Sequence, residues 1–250
     1  MVATTNRVEE LAQYGKGLDD MPKKVLARQA MVLVSELRRR YGTWRLVRTL
    51  AAVAGERRKI QNAHPDTVAI LKRDWGSGAV NEALGMTALF NVLAPLEGRD
   101  GAYEVARSIF EAIAPMSMKA LYQSDALARC EGDRFENFKN FHMALFDNSE
   151  HLFPNTQTDE GDLFTTTVTR CGNVEVFGAL GCPELGKLGC DHDLAGYPTI
   201  AERHNFEFRR PTTIAKGSDA CRFRFYRKGT APATESIEGV RLSWIDELNR

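Results

Sequence analysis

The stretch LGCDHDLAGYPTI, residues 188–200, places a thiol, two carboxylates and an imidazole at four consecutive positions: Cys190, Asp191, His192 and Asp193. Those groups suit three kinds of chemistry. A nucleophilic Cys190 must react as thiolate. An imidazolium at His192 or a helix N-terminus lowers its pKa, whereas the adjacent carboxylates raise it, so the sequence leaves the sign of the shift open. A general base drawn from Asp191, His192 or Asp193 must be partly desolvated, with its pKa near the working pH. The third reading is structural, with Cys190 a small buried hydrophobe and the DHD run a polar turn capping a helix.

A metal would need donors at chelating spacing. Four of the five cysteines fall late in the chain, at Cys171, Cys182, Cys190 and Cys221, and only Cys190 and His192 are close in sequence. Structural zinc sites present a C-x₂₋₄-C or H-x₃₋₅-H pair, which is absent, so no cofactor is expected. A scattered zinc site of Cys171, Cys190, His192 and Asp193 is the alternative. If the neighbouring strands converge, Cys171, Cys190 and Cys221 line one site. His204 lies close to the cluster in sequence. Arg209 and Arg210, or Arg170, offer a guanidinium fork for a substrate carboxylate, and strand alternation lets only one of Arg209 and Arg210 face a given site. Glu175 and Glu184 are further carboxylates between the cysteines. His142 and His151, at the end of a helix, are candidates for lining a cleft. The chain has no P-loop, no G-x-G-x-x-G after a strand, no G-x-S-x-G elbow and no H-E-x-x-H, so nucleotide and common hydrolase chemistries lack a local motif.

These residues sit in the second part of an α+β chain. Residues 1–155 read as a helical domain. Helical spacing runs over 23–40, Tyr41-Gly42 ends it, and a second run reaches about 63. Pro65 starts a short helix to Trp75, Ser77 opens another, Gly98 and Pro115 interrupt, and a last helix covers 133–147. PNTQTDEGD is expected to be a polar connector. Residues 156–228 form a cysteine-bearing α+β part. LFTTTVTRC reads as a strand, and NFEFRRPTTIA and ACRFRFYRKG alternate as an antiparallel pair joined through KGSD. Between them, 172–200 is glycine-rich with short helical pieces. Residues 229–250 read as a linker and a tail whose Val240, Leu242, Trp244 and Leu248 suit a contact with a neighbouring subunit, so a homo-oligomer is expected.

Composition narrows the class. The 250 residues are 43% hydrophobic and 26% charged, with 33 basic and 33 acidic side chains. That balance calls for no nucleic acid and no anionic membrane. The basic runs RRRYGTWRLVR and GERRK have no aromatic stacking platform and read as solvated helix faces. No apolar run approaches the roughly 20 residues of a membrane span. The N-terminus lacks the apolar core of a signal peptide, and an odd cysteine count fits reduced thiols, so a cytoplasmic location is expected.

Taken in order, VTRC ending a strand, GCPELGKLGCDHD, and NFEFRRPTTIAKGSDACRFRF resemble the L-2-amino-thiazoline-4-carboxylic acid hydrolase family, as does the helical ALFNVLAPLEGRDGAYEVARSIFEAI. The resemblance spans roughly residues 85–226, with Cys171, Cys190, Asp193, Gly217 and Cys221 at matching positions. It implies a hydrolase acting on a carbon–nitrogen bond of a small cyclic amidine, by attack of water or a thiolate on the amidine carbon. On that reading Cys190, Asp191, His192 and Asp193 are catalytic, and Cys171, His204, Arg209, Arg210 and Cys221 bind substrate. The alternative is a small-molecule-binding or sensory domain that leaves its ligand intact.

Overall fold

Glycine decides where the long helical runs bend. In the computed structural model, which describes Val8 and residues 22–235, α1 (Lys23–Ala63) is two helices joined at Gly42, and α3 (Ser77–Leu121) is two joined at Gly98. Both glycines combine φ 74° with an extended ψ, a region closed to residues bearing a Cβ. Between them lies α2 (Pro65–Trp75), with proline in its first turn. The expected interruption at Pro115 does not occur, and the helix continues to Leu121. Ile113, Ala114, Ser117 and Met118 are buried on both sides of the proline, so packing holds the backbone through the one amide bond it forfeits.

After α4 (Ser124–Leu127), Asp133 caps α5 (Arg134–Asp147) by accepting from the amides of Phe135 and Glu136 at 2.8 and 2.9 Å. The sheet then begins earlier than its composition suggests. NTQTD, read as connector, is β1 (Asn155–Asp159), paired antiparallel with β2 (Leu163–Val168). It is a polar edge strand, so it lacks the apolar alternation that marks a half-buried one. Its end is fixed by Lys139, nearly fully buried, which donates to both Asp159 carboxylate oxygens at 2.8 Å.

The remaining strands are β3 (Phe206–Arg209) and β4 (Cys221–Arg227), antiparallel as expected, with Phe208 opposite Phe225. Sheet order is β1-β2-β4-β3. Phe206, Phe208, Cys221, Phe223 and Phe225 face an aromatic core shared with α5. Glu235, in the stretch read as linker, accepts from Arg224 and Tyr226, and its carbonyl takes a bond from Arg209. The proposed contacts of Val240, Leu242, Trp244 and Leu248 lie outside the described residues.

Residues 172–200 are more regular than short pieces. α6 (Gly172–Ala179) and a 3₁₀ turn at Pro183–Lys187 lead into α7 (Leu188–His204), a continuous 17-residue helix. Tyr103 meets Asp191, Met118 meets Gly196 and Tyr122 meets Tyr197, so α7 runs parallel to the second half of α3. The two helices approach so closely at Gly196 that an added Cβ would lie 2.4 Å from Met118 Cγ. α3 is long and apolar enough by composition to pass for a membrane span. Here its first half is the hub of the helical core: Ala83, Leu84 and Met86–Phe90 are buried around the whole helix circumference.

Candidate active site

The cluster Cys190–Asp193 forms the opening turn of α7, which spreads its four side chains around the helix start instead of presenting them together. Two faces result. One looks toward the sheet and the other toward α3.

Arg210 organises the sheet side. Alternation along β3 places Phe206, Phe208 and Arg210 on the core face, and Glu207 and Arg209 on the other. Arg210 is fully buried. Its guanidinium donates to Asp193 Oδ2 at 2.8 Å and to the Cys190 carbonyl at 2.9 Å, and its Cζ lies 5.6 Å from the Phe223 ring centroid. A buried guanidinium must be paired, and Asp193 pairs it. The three cysteines gather nearby. Cys171, at the residue before α6, interacts electrostatically with Cys190 and Asp193, and Cys221 with Cys171, Arg210 and Asp193. Burial pushes both Cys171 and Cys221 up to about 11, although backbone amides of Asn173 and Val174 favour thiolate at the first and that of Ile214, 3.3 Å from the sulfur, at the second. Both are neutral thiols at physiological pH, unsuited to nucleophilic attack.

The α3 side carries half-buried polar groups. Tyr103, Arg107 and Phe110 follow at i, i+4 and i+7 and so share a face. The Tyr103 hydroxyl donates to Asp191 Oδ2 at 2.5 Å. Phe110 meets His192 edge-on at 6.4 Å. Burial holds the Asp191 carboxyl above the usual carboxylate range, against the opposing pull of Tyr103, Arg107, Arg210 and Lys216. Burial and the Asp191 carboxylate together raise the Tyr103 phenol, which stays protonated. Arg107 pairs with Glu104 and, at 3.9 Å, with Glu111. Its Nε is buried and has no hydrogen-bond partner among the described residues. Glu82, from the first half of α3, is near enough for the His192 charge to act on its carboxyl. Burial raises its carboxyl and the His192 imidazole pulls it back. Glu82 belongs to the helix face of Met86, Leu89 and Leu93, all buried, yet is itself exposed.

The structure brings together Cys171, Cys190, Asp193, Arg210 and Cys221 at one side of this turn, with Asp191 and His192 on the other. His204 and Arg209 are elsewhere. His204 is more than three turns further along α7, fully buried, with Nε2 sharing a 2.7 Å hydrogen bond with Ser124 Oγ, and burial lowers it to about 4. Arg209 points off the opposite sheet face toward Glu207 and Glu235. Arg170 is spent on Glu175, and Arg99 holds Glu184. His142 lines no cleft: fully buried behind the site, it shares hydrogen bonds with Tyr122 at 2.7 Å and Thr166 at 2.9 Å, and Tyr122 with Tyr197 at 2.9 Å. Among the described residues, no three His, Cys, Asp or Glu side chains are placed to hold a metal ion.

Glu82, Tyr103 and Arg107 are the site residues that motif reading passed over. One signal was available: in GAVNEALGMTALFNVLA a lone carboxylate interrupts an apolar helical stripe. Tyr103 and Arg107 carry no such mark, since their partner Asp191 lies 88 positions from Tyr103.

The sequence profile of the L-2-amino-thiazoline-4-carboxylic acid hydrolase family matches residues 78–225, more than half of the chain. The match starts as α3 begins, ends within β4 and takes in Tyr103, Arg107 and the Cys190–Asp193 turn, leaving α1 and α2 outside it. Among curated proteins none matches the chain.

Proposed function

The chain belongs to the L-2-amino-thiazoline-4-carboxylic acid hydrolase family, and from that premise we propose that it hydrolyses a small cyclic amidine of the 2-aminothiazoline-carboxylate type. Asp191 is the general base. A water oxygen adds to the carbon of the protonated amidine as Asp191 takes one of its protons, and the C=N π pair moves to the nitrogen that already carries the proton, giving a neutral tetrahedral adduct. The adduct collapses to a carbonyl as its hydroxyl proton passes to solvent and the carbon–sulfur bond breaks. The departing sulfur takes a proton from His192, and Asp191 and His192 return to their starting states on proton exchange with solvent. One water is consumed, and a carbamoyl group and a thiol are left.

The observation that carries this assignment is the state of the two aspartates. Asp193 is neutralised by a buried arginine, whereas Asp191 is desolvated, raised and held in one orientation by Tyr103. A carboxylate with a raised pKa and a fixed rotamer is what a base working near neutrality requires. Arg107, with its unmet Nε, takes the substrate carboxylate in place of Arg209 or Arg210. Cys171 and Cys221, neutral thiols, line the closed side beside Cys190. We extend the proposal to a cytoplasmic homo-oligomer acting without a cofactor. Exposed Leu26, Met31, Trp44 and Val47 along α1 favour self-association.

The test is turnover of 2-aminothiazoline-4-carboxylate by wild type, Asp191→Asn and Cys190→Ser. Asp191→Asn is expected to lose about 10²–10⁴-fold in kcat, while Cys190→Ser keeps most activity. An active Asp191→Asn with a dead Cys190→Ser would move the attack to the thiol. Ligand-induced stabilisation without product in wild type would identify a binding module instead.

A further inference from the structure

We propose that the groove between the second half of α1 and the start of α3 binds a single-chain amphipathic anion, an apolar tail carrying a phosphate or carboxylate head. The inference is independent of the hydrolase reading. Six of the seven lining residues lie on α1, outside the segment that matches the family.

The groove has a volume of about 430 Å³, within the range of small-molecule sites. Its lining changes character along α1. Leu50, Val53 and Ala54 make one end, and Arg57, Arg58 and Gln61 the other. Leu50, Ala54, Arg57 and Gln61 follow at i, i+4, i+7 and i+11, so a single helix face carries both ends over roughly 16 Å. The cationic end lacks carboxylates. Arg57 donates to Asn81 Oδ1 at 3.2 Å, Arg58 makes no hydrogen bond to a described residue, and neither forms an ion pair with one. Glu56, the neighbouring carboxylate, is taken by Lys59 at 3.3 Å and Asn91 at 3.2 Å. Two such guanidiniums at the end of an apolar trough fit an anion tethered to an apolar chain.

The floor of the trough is Gly85 of α3. From Ala83 to Phe90 it is the one residue that is not buried. Its φ is not positive, and a Cβ placed there would meet nothing within 4 Å. Alanine would fit at this position and would favour the helix, so the fold gains nothing from glycine here. What glycine does is keep the trough open where the tail would lie against α3. Solvated arginines alone would account for the charge, but not for an apolar trough left unfilled beside it.

The experiment is calorimetric titration of the full chain with decyl phosphate below its micelle concentration. Inorganic phosphate and decanol serve as head and tail alone, and thermal melts verify folding of each variant. Decyl phosphate is expected to bind at least about tenfold more tightly than either half. Octyl phosphate should bind about three- to tenfold more weakly than decyl phosphate, because two methylenes leave the trough. Gly85→Leu, which fills open space, should weaken decyl phosphate binding by about tenfold or more, and Gly85→Ala should melt roughly 1–4 °C higher than wild type. Arg57→Gln/Arg58→Gln, which leaves the floor untouched, should weaken binding by about tenfold or more and flatten its salt dependence. A wild type that does not bind decyl phosphate, or binding unchanged in both the Gly85→Leu and the double arginine variants, overturns the proposal. Sedimentation with phosphatidylserine vesicles and no uptake of decyl phosphate would overturn it too, and would assign this face to a membrane surface.

Discussion

Replacing Arg210 by methionine tests the core of this arrangement. The substitution keeps a long apolar stem but removes a fully buried guanidinium that bonds Asp193 at 2.8 Å and the Cys190 carbonyl at 2.9 Å. Deleting one partner of a buried ion pair costs roughly 3–5 kcal/mol, because the other charge is left uncompensated. Asp193 keeps 23% side-chain exposure, so water recovers part of that loss and the lower end applies, about 3 kcal/mol. The Cys190 carbonyl loses a donor, worth about 1 kcal/mol more. The sum, about 4 kcal/mol, corresponds to a fall in Tm of roughly 8–16 °C for a chain of this size. Asp193→Asn alone should cost about 2 kcal/mol, since an amide oxygen still accepts from Arg210 but the charge is gone. In the Arg210→Met background the same change removes the stranded carboxylate and should be neutral or stabilising. Urea unfolding followed by circular dichroism on all four proteins reads this cycle directly. Additive effects, or an Arg210→Met cost below about 1 kcal/mol, would refute the view that this pair anchors the start of α7.

Other consequences are equally specific. His142 is held to about 3 by burial against an ordinary 6.5. A depressed folded-state pKa gives stability that is complete above 6.5 and is lost as pH falls from 6.5 toward 3, at about 1.4 kcal/mol per unit. His142→Gln should flatten the acid limb of a plot of urea midpoint against pH, and an unchanged limb would assign acid sensitivity to other groups. Gly196→Ala places a Cβ 2.4 Å from Met118 Cγ and 3.4 Å from the Ala114 carbonyl, so α7 must shift or Met118 must repack. A loss of about 1–3 kcal/mol is expected in the same unfolding assay. Tyr103→Phe removes the bond that lowers Asp191. The rising limb of kcat/KM against pH should therefore move up by about one unit if Asp191 is the base, and should stay in place if it is not.

The local part of this architecture was written in local sequence. Gly42 and Gly98 mark the bends because only glycine adopts their backbone angles, Asp133 and Pro65 mark helix starts, and the Phe-x-Phe alternation of β3 and β4 gives a sheet with one aromatic face. The CDHD run stood out as a dense polar cluster, although its types alone did not show that it opens a long helix, and it lies within the segment that matches the family. Parity along β3 also dictated that Arg209 and Arg210 face opposite ways. Which of the two faces the site was decided by the packing of β3 under α7, because alternation fixes a period and not a direction. β1 stayed hidden because a polar edge strand draws its order from pairing with β2, not from its own pattern. Pro115 failed to end a helix because buried neighbours outweighed one lost amide bond. The division of labour between Asp191 and Asp193, two residues apart with the same side chain, was set wholly by distant partners: Tyr103 on α3 for one and Arg210 beyond β3 for the other. Charge state depends on what surrounds a group, and those surroundings exist only once helix and sheet have packed.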